Sequence, residues 1–224
     1  MDYSEIQICA LAERPALEEH RALLRRAWVP WVLEAAPLRS QPGLMETSET
    51  EAAHTLLLWE GGVLVGSLIS RSTDLLGFPD EGWDAVAASE NGDRVCALAV
   101  SIDPTARGKG HAKHLLLAAK ERFGCFVVPV RPTDKPLGQD MSAYLKERTA
   151  DGWSVDPWLR THERLGGQVM GISRRAMQMN APWGQWEQWL GPSPATHASL
   201  VGVLTKRGRM GFYSEDNVWV QHGL

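Results

Sequence analysis

The stretch Val100-Ser101-Ile102-Asp103-Pro104-Thr105-Ala106-Arg107-Gly108-Lys109-Gly110-His111-Ala112 decides how this chain folds. It closes a run of β-formers that begins at Val95, turns at Asp103-Pro104, and opens on two glycines into a segment carrying Lys109 and Lys113. From Gly108 to Phe123, Ala112, Leu115, Leu116, Ala119 and Phe123 recur at helical spacing on one face. Phe126 to Val130 then reads as another strand. A strand, a helix of this length and a second strand form a crossover unit, which favours parallel pairing. Upstream, Thr55–Trp59 and Val63–Ser70 are β-rich runs split by Glu60-Gly61-Gly62, a hairpin signal, and Ile6–Ala10 is a short apolar first strand. An antiparallel hairpin followed by a crossover predicts a mixed sheet in an α/β (α+β) fold.

The turn itself has the chemistry of an anion site. Amide N–H groups at a helix start lack intrahelical partners and carry the positive end of the helix dipole. Glycine lets a ligand approach the backbone closely. Together these suit a pyrophosphate. The spacing is neither a Walker pattern nor a dinucleotide fingerprint, because Lys113 stands where the third glycine would be.

Outside this unit, Pro15 followed by Leu17, Leu23, Leu24 and Ala27 predicts an amphipathic helix that stops before Pro30. Trp31 to Glu51 reads as mixed helix and loop. Asp156-Pro157 supplies a side-chain cap and a first-turn proline for a helix through Leu165, closed by Gly166-Gly167. Strand-like runs follow at Leu200–Leu204 and Val218–Gln221.

With 224 residues, 44% hydrophobic and 22% charged, the chain sits among globular domains, and no apolar run is long enough to span a bilayer. Its N-terminus lacks the basic and apolar regions of an export signal. Cys9, Cys96 and Cys125 are odd in number and far apart, which argues against a disulfide framework and fits a reducing cytosol. No C-x-x-C pair starts a zinc site, and His111 with His114 lacks an evident third ligand, so no metal is expected. A net charge of -4 gives no overall attraction to nucleic acid, although Lys206-Arg207-Gly208-Arg209 is a local basic candidate. Ten tryptophans read as packing by large rings, with an aromatic-lined cavity as the alternative.

Arg107, Gly110 and Ala112 match the acetyl-CoA loop of the GCN5-related N-acetyltransferase (GNAT) superfamily, whose pattern is Arg or Gln, any two, Gly, any one, Gly or Ala. The chain also resembles an actinobacterial-type subgroup through Pro79-Asp80-Glu81-Gly82-Trp83-Asp84, Val130-Arg131-Pro132-Thr133, Asp156-Pro157-Trp158-Leu159-Arg160-Thr161-His162 and Asn217-Val218-Trp219. The resemblance implies a twisted, mixed, mostly antiparallel sheet flanked by helices and splayed between its fourth and fifth strands. Acetyl-CoA or another acyl-CoA would lay its pantetheine along the backbone near Val100 and Ile102. Its pyrophosphate would sit on Arg107, Gly108, Lys109, Gly110, His111 and Ala112. The implied activity is cytoplasmic transfer of an acyl group from the thioester to the amine of a small molecule, by direct attack, in specialised metabolism. Residues 1–180 are expected to form the GNAT domain, with 181–224 as a Trp-rich C-terminal extension packed on it.

In the family, a helix after the fifth strand often reads aromatic-Tyr-Glu-Lys-x-Gly-Phe, and its tyrosine protonates the leaving thiolate. Thr161-His162-Glu163-Arg164-Leu165-Gly166-Gly167 aligns with that pattern and puts His162 at the tyrosine position. A histidine pKa of about 6.5 against about 8.5 for a thiol suits the task; simple packing on a helix face is the alternative. Tyr144, in a long insertion reaching Val155, is a second candidate acid. His54, Glu81, Asp84 and Glu90 are eligible general bases, with Glu90 taken as the catalytic candidate. Cys125 abuts a strand and reads as packing rather than as an acyl nucleophile. Some related domains load acyl groups in polyketide assembly lines and others draw on aminoacyl-tRNA. Acyl carrier protein and aminoacyl-tRNA are therefore alternative partners, and a CoA-binding sensor without turnover is a third reading. Neither the acceptor's identity nor the oligomeric state is legible.

Overall fold

The computed structural model describes residues 6–37 and 49–223. Residues 38–48, part of the stretch expected to mix helix and loop, lie outside them, as do the N-terminal positions 1–5. The chain opens with β1 (Ile6–Ala10), α1 (Leu17–Ala27), α2 (Pro30–Glu34) and α3 (Glu49–His54). The hairpin is β2 (Leu56–Glu60) and β3 (Val63–Thr73), followed by α4 (Trp83–Ala88). The crossover unit is β4 (Arg94–Ile102), α5 (His111–Phe123) and β5 (Phe126–Val130). Then come α6 (Met141–Tyr144), α7 (Pro157–Arg164), β6 (Gln168–Pro182), α8 (Trp183–Leu190), β7 (Val203–Arg207) and β8 (Met210–His222).

One sheet runs in the order β1, β2, β3, β4, β5, β8, β6, with the two-residue strand Ala36–Pro37 beyond β6 and β7 paired to β8. Every pairing is antiparallel except β4 with β5, as the crossover requires. The main core lies between α5 and the sheet, where Leu115, Leu116 and Ala119 meet Leu58, Leu68, Phe126 and Val128. In α1, Glu18 and Glu19 at the start and Arg25 and Arg26 at the end complement the helix dipole, while Leu23 and Leu24 are buried.

The C-terminal part departs from expectation. The division at residue 180 falls inside β6, and β8, from beyond it, sits between β5 and β6 in the middle of the sheet. The last residues are thus part of the one sheet rather than an appendage. β6 itself was invisible as a strand. Its register with β8 shifts three times, between Val169 and Gly171, Ser173 and Ala176, and Ala176 and Met179. Each bulge resets the inside-outside phase, so no alternation persists long enough to read. In β8 the buried positions Tyr213, Glu215 and Asn217 are polar, which hid all but its last turn of apolar residues. The tryptophans do pack: Trp31 meets Tyr213 edge-on at 4.8 Å and Trp186 at 5.7 Å in a second core under α2 and α8.

The insertion after β5 is tied down by one carboxylate. Asp156, fully buried at the N-cap of α7, accepts from the amides of Thr133 (2.8 Å) and Asp134 (3.0 Å), from Trp158 and Leu159 (2.9 Å each), and from the Tyr144 hydroxyl (3.2 Å). The cap thus holds both the helix start and the strand exit in one geometry.

Candidate active site

β4 and β5 are paired only at Val95 with Phe126 and Cys96 with Val127. Beyond these positions they part, and Pro129 in β5 has no N–H to offer a neighbour. On its other side β4 carries a bulge: Ile69 pairs with Ala99 and Ser70 with Ala97, leaving Leu98 as the extra residue. A bulge bends and twists its strand, which turns the backbone from Ala97 to Ile102 toward the gap. The gap is a cavity of about 610 Å³ walled by that backbone, by Val128 to Arg131 of β5, and by the turn that begins α5.

The turn is built by Asp103. Its carboxylate accepts from the Thr105 amide (3.0 Å) and hydroxyl (2.7 Å) and from Arg26 Nε (2.7 Å). The Thr105 hydroxyl, then Arg26, hold its pKa down to about 2, so it stays charged across the working range. Gly108 and Gly110 have φ of 81° and 84°, the left-handed region that glycine adopts freely, and a Cβ at either would meet nothing within 4 Å. Gly110 caps α5 with no side-chain hydrogen bond, so the first amides of the helix are left for a ligand. Arg107 stands beside them, its Nη2 donating to the Ala27 carbonyl at 3.0 Å. This donor set, with open space before it, fits a pyrophosphate.

No family model matches the chain. It is 29% identical over 207 residues, covering 74% of this chain and 71% of the relative, to arginine N-acetyltransferase avaD of Aspergillus versicolor. The loading GNATL domain of CurA from Lyngbya majuscula shares the fold at a TM-score of 0.62 over 97% of both chains, with 15% identity. The GphF GNAT-like decarboxylase, solved with isobutyryl-CoA, does so at 0.59 over 97% of this chain and 98% of that one, with 19% identity. In sequence the chain is similar to a GNAT-type N-acetyltransferase, and it shares the GNAT fold. It is an acyltransferase.

Val100, Ile102, Arg107, Gly108, Gly110, His111 and Ala112 all line the cavity. Lys109 does not; its Nζ donates to Glu60 at 2.8 Å. His111, only 2% exposed, has Nε2 at 3.6 Å from the same carboxylate.

The three residues expected to be catalytic lie elsewhere. His162 is fully buried on α7, with Nδ1 at 2.9 Å from His222 Nε2, and Trp158 packs edge-on at 4.5 Å. Trp158 is the cavity wall and His162 lies outside it. Burial, then the neighbouring His222, push its pKa down to about 3, so the ring is neutral at working pH. Tyr144 is committed to Asp156; burial first, then that carboxylate, raise its pKa beyond the ordinary phenol range. Glu90 is exposed on the loop after α4, where its amide donates to Asp74. Of the other eligible bases, Asp84 accepts from the Gln178 amide (3.0 Å), Glu81 pairs with Arg175 (2.6 Å) and His54 stacks on Phe123 (5.7 Å); none lines the cavity.

What sequence reasoning missed is the rest of the cavity wall. Trp28, Val32, Trp83 and Met177 form an apolar wall, and Arg131, Thr133, Ser199 and Asn217 supply polar groups. Four of these sit inside the stretches that carried the subgroup resemblance, so the signal was present without its meaning. Met177 is the single non-glycine with positive φ among the described residues, at 51°. That conformation costs on the order of 1–2 kcal/mol. It persists because the loop before α4 and the first turn of α4 clamp both flanks: the Asp80 carbonyl accepts from Ser173 Oγ (2.7 Å) and the Arg175 amide (2.8 Å), and Asp84 holds Gln178. Among the described residues no three His, Cys, Asp or Glu side chains gather as a metal site requires, and no helix is long and apolar enough to cross a membrane.

Proposed function

We propose that the protein transfers an acyl group from acyl-CoA to the amine of a small molecule by direct attack. The observation that carries this reading is the gap between β4 and β5, with the uncapped start of α5 opening into one end of it. The turn from Arg107 to Ala112 takes the pyrophosphate. The backbone of β4 from Ala97 to Ile102, paired to β3 but not to β5, takes the amides of the pantetheine arm on its open side. A strand amide near Val100 polarises the thioester carbonyl and stabilises the oxyanion as the amine adds. The C–N bond forms, the C–S bond breaks, and the proton lost by the amine balances the one gained by the thiolate.

Positioning supplies most of the rate in such a scheme. Among the described residues no Asp or Glu lines the cavity, so the amine's proton leaves through water or the amine enters neutral. Neither His162 nor Tyr144 is assigned the thiolate's proton, because each is bonded to another partner outside the cavity wall. An amine acceptor accords with the arginine N-acetyltransferase at 29% identity. A reducing cytosolic setting and a place in specialised metabolism fit the same reading.

The test is thiol release from acetyl-CoA across a panel of small amines, run beside aminoacyl-tRNA and acyl-carrier donors. Release with at least one amine, saturable in both substrates, is expected. Tight CoA binding with no release from any donor would leave the sensor reading standing instead.

A further inference from the structure

Two arginines line the cavity, and among the described residues no Asp or Glu does. Arg107 stands at the start of α5, and Arg131, which follows β5, shares the wall with the apolar Trp83 and Met177. Arg131 is held, not loose. Its Nε donates to Glu215 at 2.9 Å and its Nη2 reaches the Ser199 carbonyl at 3.5 Å. Glu215 is fully buried in its side chain, and its charge is shared among three donors: Arg131, the Tyr213 hydroxyl, and Asn217 Nδ2 at 3.0 Å. The pairing therefore fixes the orientation of the guanidinium. The remaining face of Arg131, 24% exposed in its side chain, is part of the cavity wall.

A half-buried cation with one side locked and one side open to an apolar cavity is a fixed receptor for an anion, and guanidinium matches carboxylate geometry. Among the described residues no acidic group lines the wall, which points the same way. A bare ammonium would find no counter-charge among them, whereas an amino acid brings its own. We propose that the acceptor is an amine bearing a carboxylate, an amino acid in the simplest case, and that Arg131 binds that carboxylate and so determines specificity. This rests on the acyl-transfer reading above. Arg131 orients the acceptor with its amine toward the β4 end of the gap, and the apolar wall takes the side chain.

The experiment compares matched acceptors with the unaltered protein: arginine, leucine and tryptophan, each beside its primary amide and its decarboxylated amine. The amino acid should exceed both partners by roughly ten- to hundredfold in kcat/KM, chiefly through KM, as expected for one charge-assisted hydrogen-bonded pair. The double variant Arg131→Met with Glu215→Gln, which leaves no unpaired buried charge, should reduce that preference to within about threefold. CoA affinity by calorimetry should stay unchanged. Equal rates for acid, amide and amine in the unaltered protein overturn the proposal, whether or not the variant folds. So does a preference that survives in the variant. A preference for succinyl-CoA over acetyl-CoA that the variant abolishes, with no preference among acceptors, assigns Arg131 to the acyl group and overturns it as well. Thiol release with no amine at all sinks the acyl-transfer reading and this one together, whereas release without carboxylate preference sinks this one alone.

Discussion

Lowering the pH from about 7.5 to about 5 should remove much of the protein's stability through three buried histidines. His162 and His222 face each other at 2.9 Å, 0% and 1% exposed, and His20 lies 1% exposed against Ser67 at 3.1 Å. With both rings of the pair neutral, one nitrogen donates and the other accepts; His162 Nε2 has no partner to receive a second charge. Burial, then His222, hold His162 at about 3; burial, then Lys120, hold His222 at about 4; burial, then Arg21, hold His20 at about 4. Each folded value lies below the unfolded value of 6.5. The stability they contribute is therefore complete above that pH and is lost as pH falls toward the folded values. At pH 5 an unfolded histidine binds its proton with about 1.5 units of driving force while the folded ring does not, which is about 2 kcal/mol per residue. Three such residues amount to about 6 kcal/mol, comparable with the whole stability of many domains. The Asp103 carboxyl, held at about 2, enters only at lower pH. Urea unfolding across this range should show the loss at constant m-value. His162→Leu with His222→Leu should cut it by about two-thirds, leaving the His20 share. A flat profile, or an equal loss in the double variant, would refute the reasoning.

Arg107→Ala and Gly110→Glu should each weaken CoA binding by calorimetry, the second through like charge in open space, at a fold cost of about 1 kcal/mol for a side chain in the left-handed region. Wild-type affinity in both would mean that the turn is not the donor site. His162→Gln should change kcat by less than about threefold at neutral pH; a loss of about a hundredfold, typical of a general acid, would return that ring to the chemistry. Charge reversal at Lys206, Arg207 and Arg209 should leave thiol release unchanged, since none lines the cavity and the first two lie over Trp183 (4.9 Å) and Phe212 (5.7 Å). Activity with aminoacyl-tRNA alone, abolished by those reversals, would show that the turn serves RNA instead.

The crossover unit and its turn are legible from the residues alone, because both are local. The apolar spacing from Ala112 to Phe123, the glycines at 108 and 110, and the Asp156-Pro157 cap each act within a few residues of where they are read. The hairpin and the first strand were legible for the same reason. What lies opposite that turn depends on contacts between distant parts of the chain. β6 carries three bulges that scramble its alternation, and β8 hides polar residues on its buried face, so neither announces itself. Arg131 and Glu215 are far apart in the chain and meet only because β8 inserts beside β5. His162 shows the reverse case. Its place in a helix pattern suggested a proton donor, but whether a ring faces a cavity or a second histidine depends on which strand packs beneath it. That strand is β8, whose His222 comes from the other end of the chain and leaves the ring neutral and enclosed.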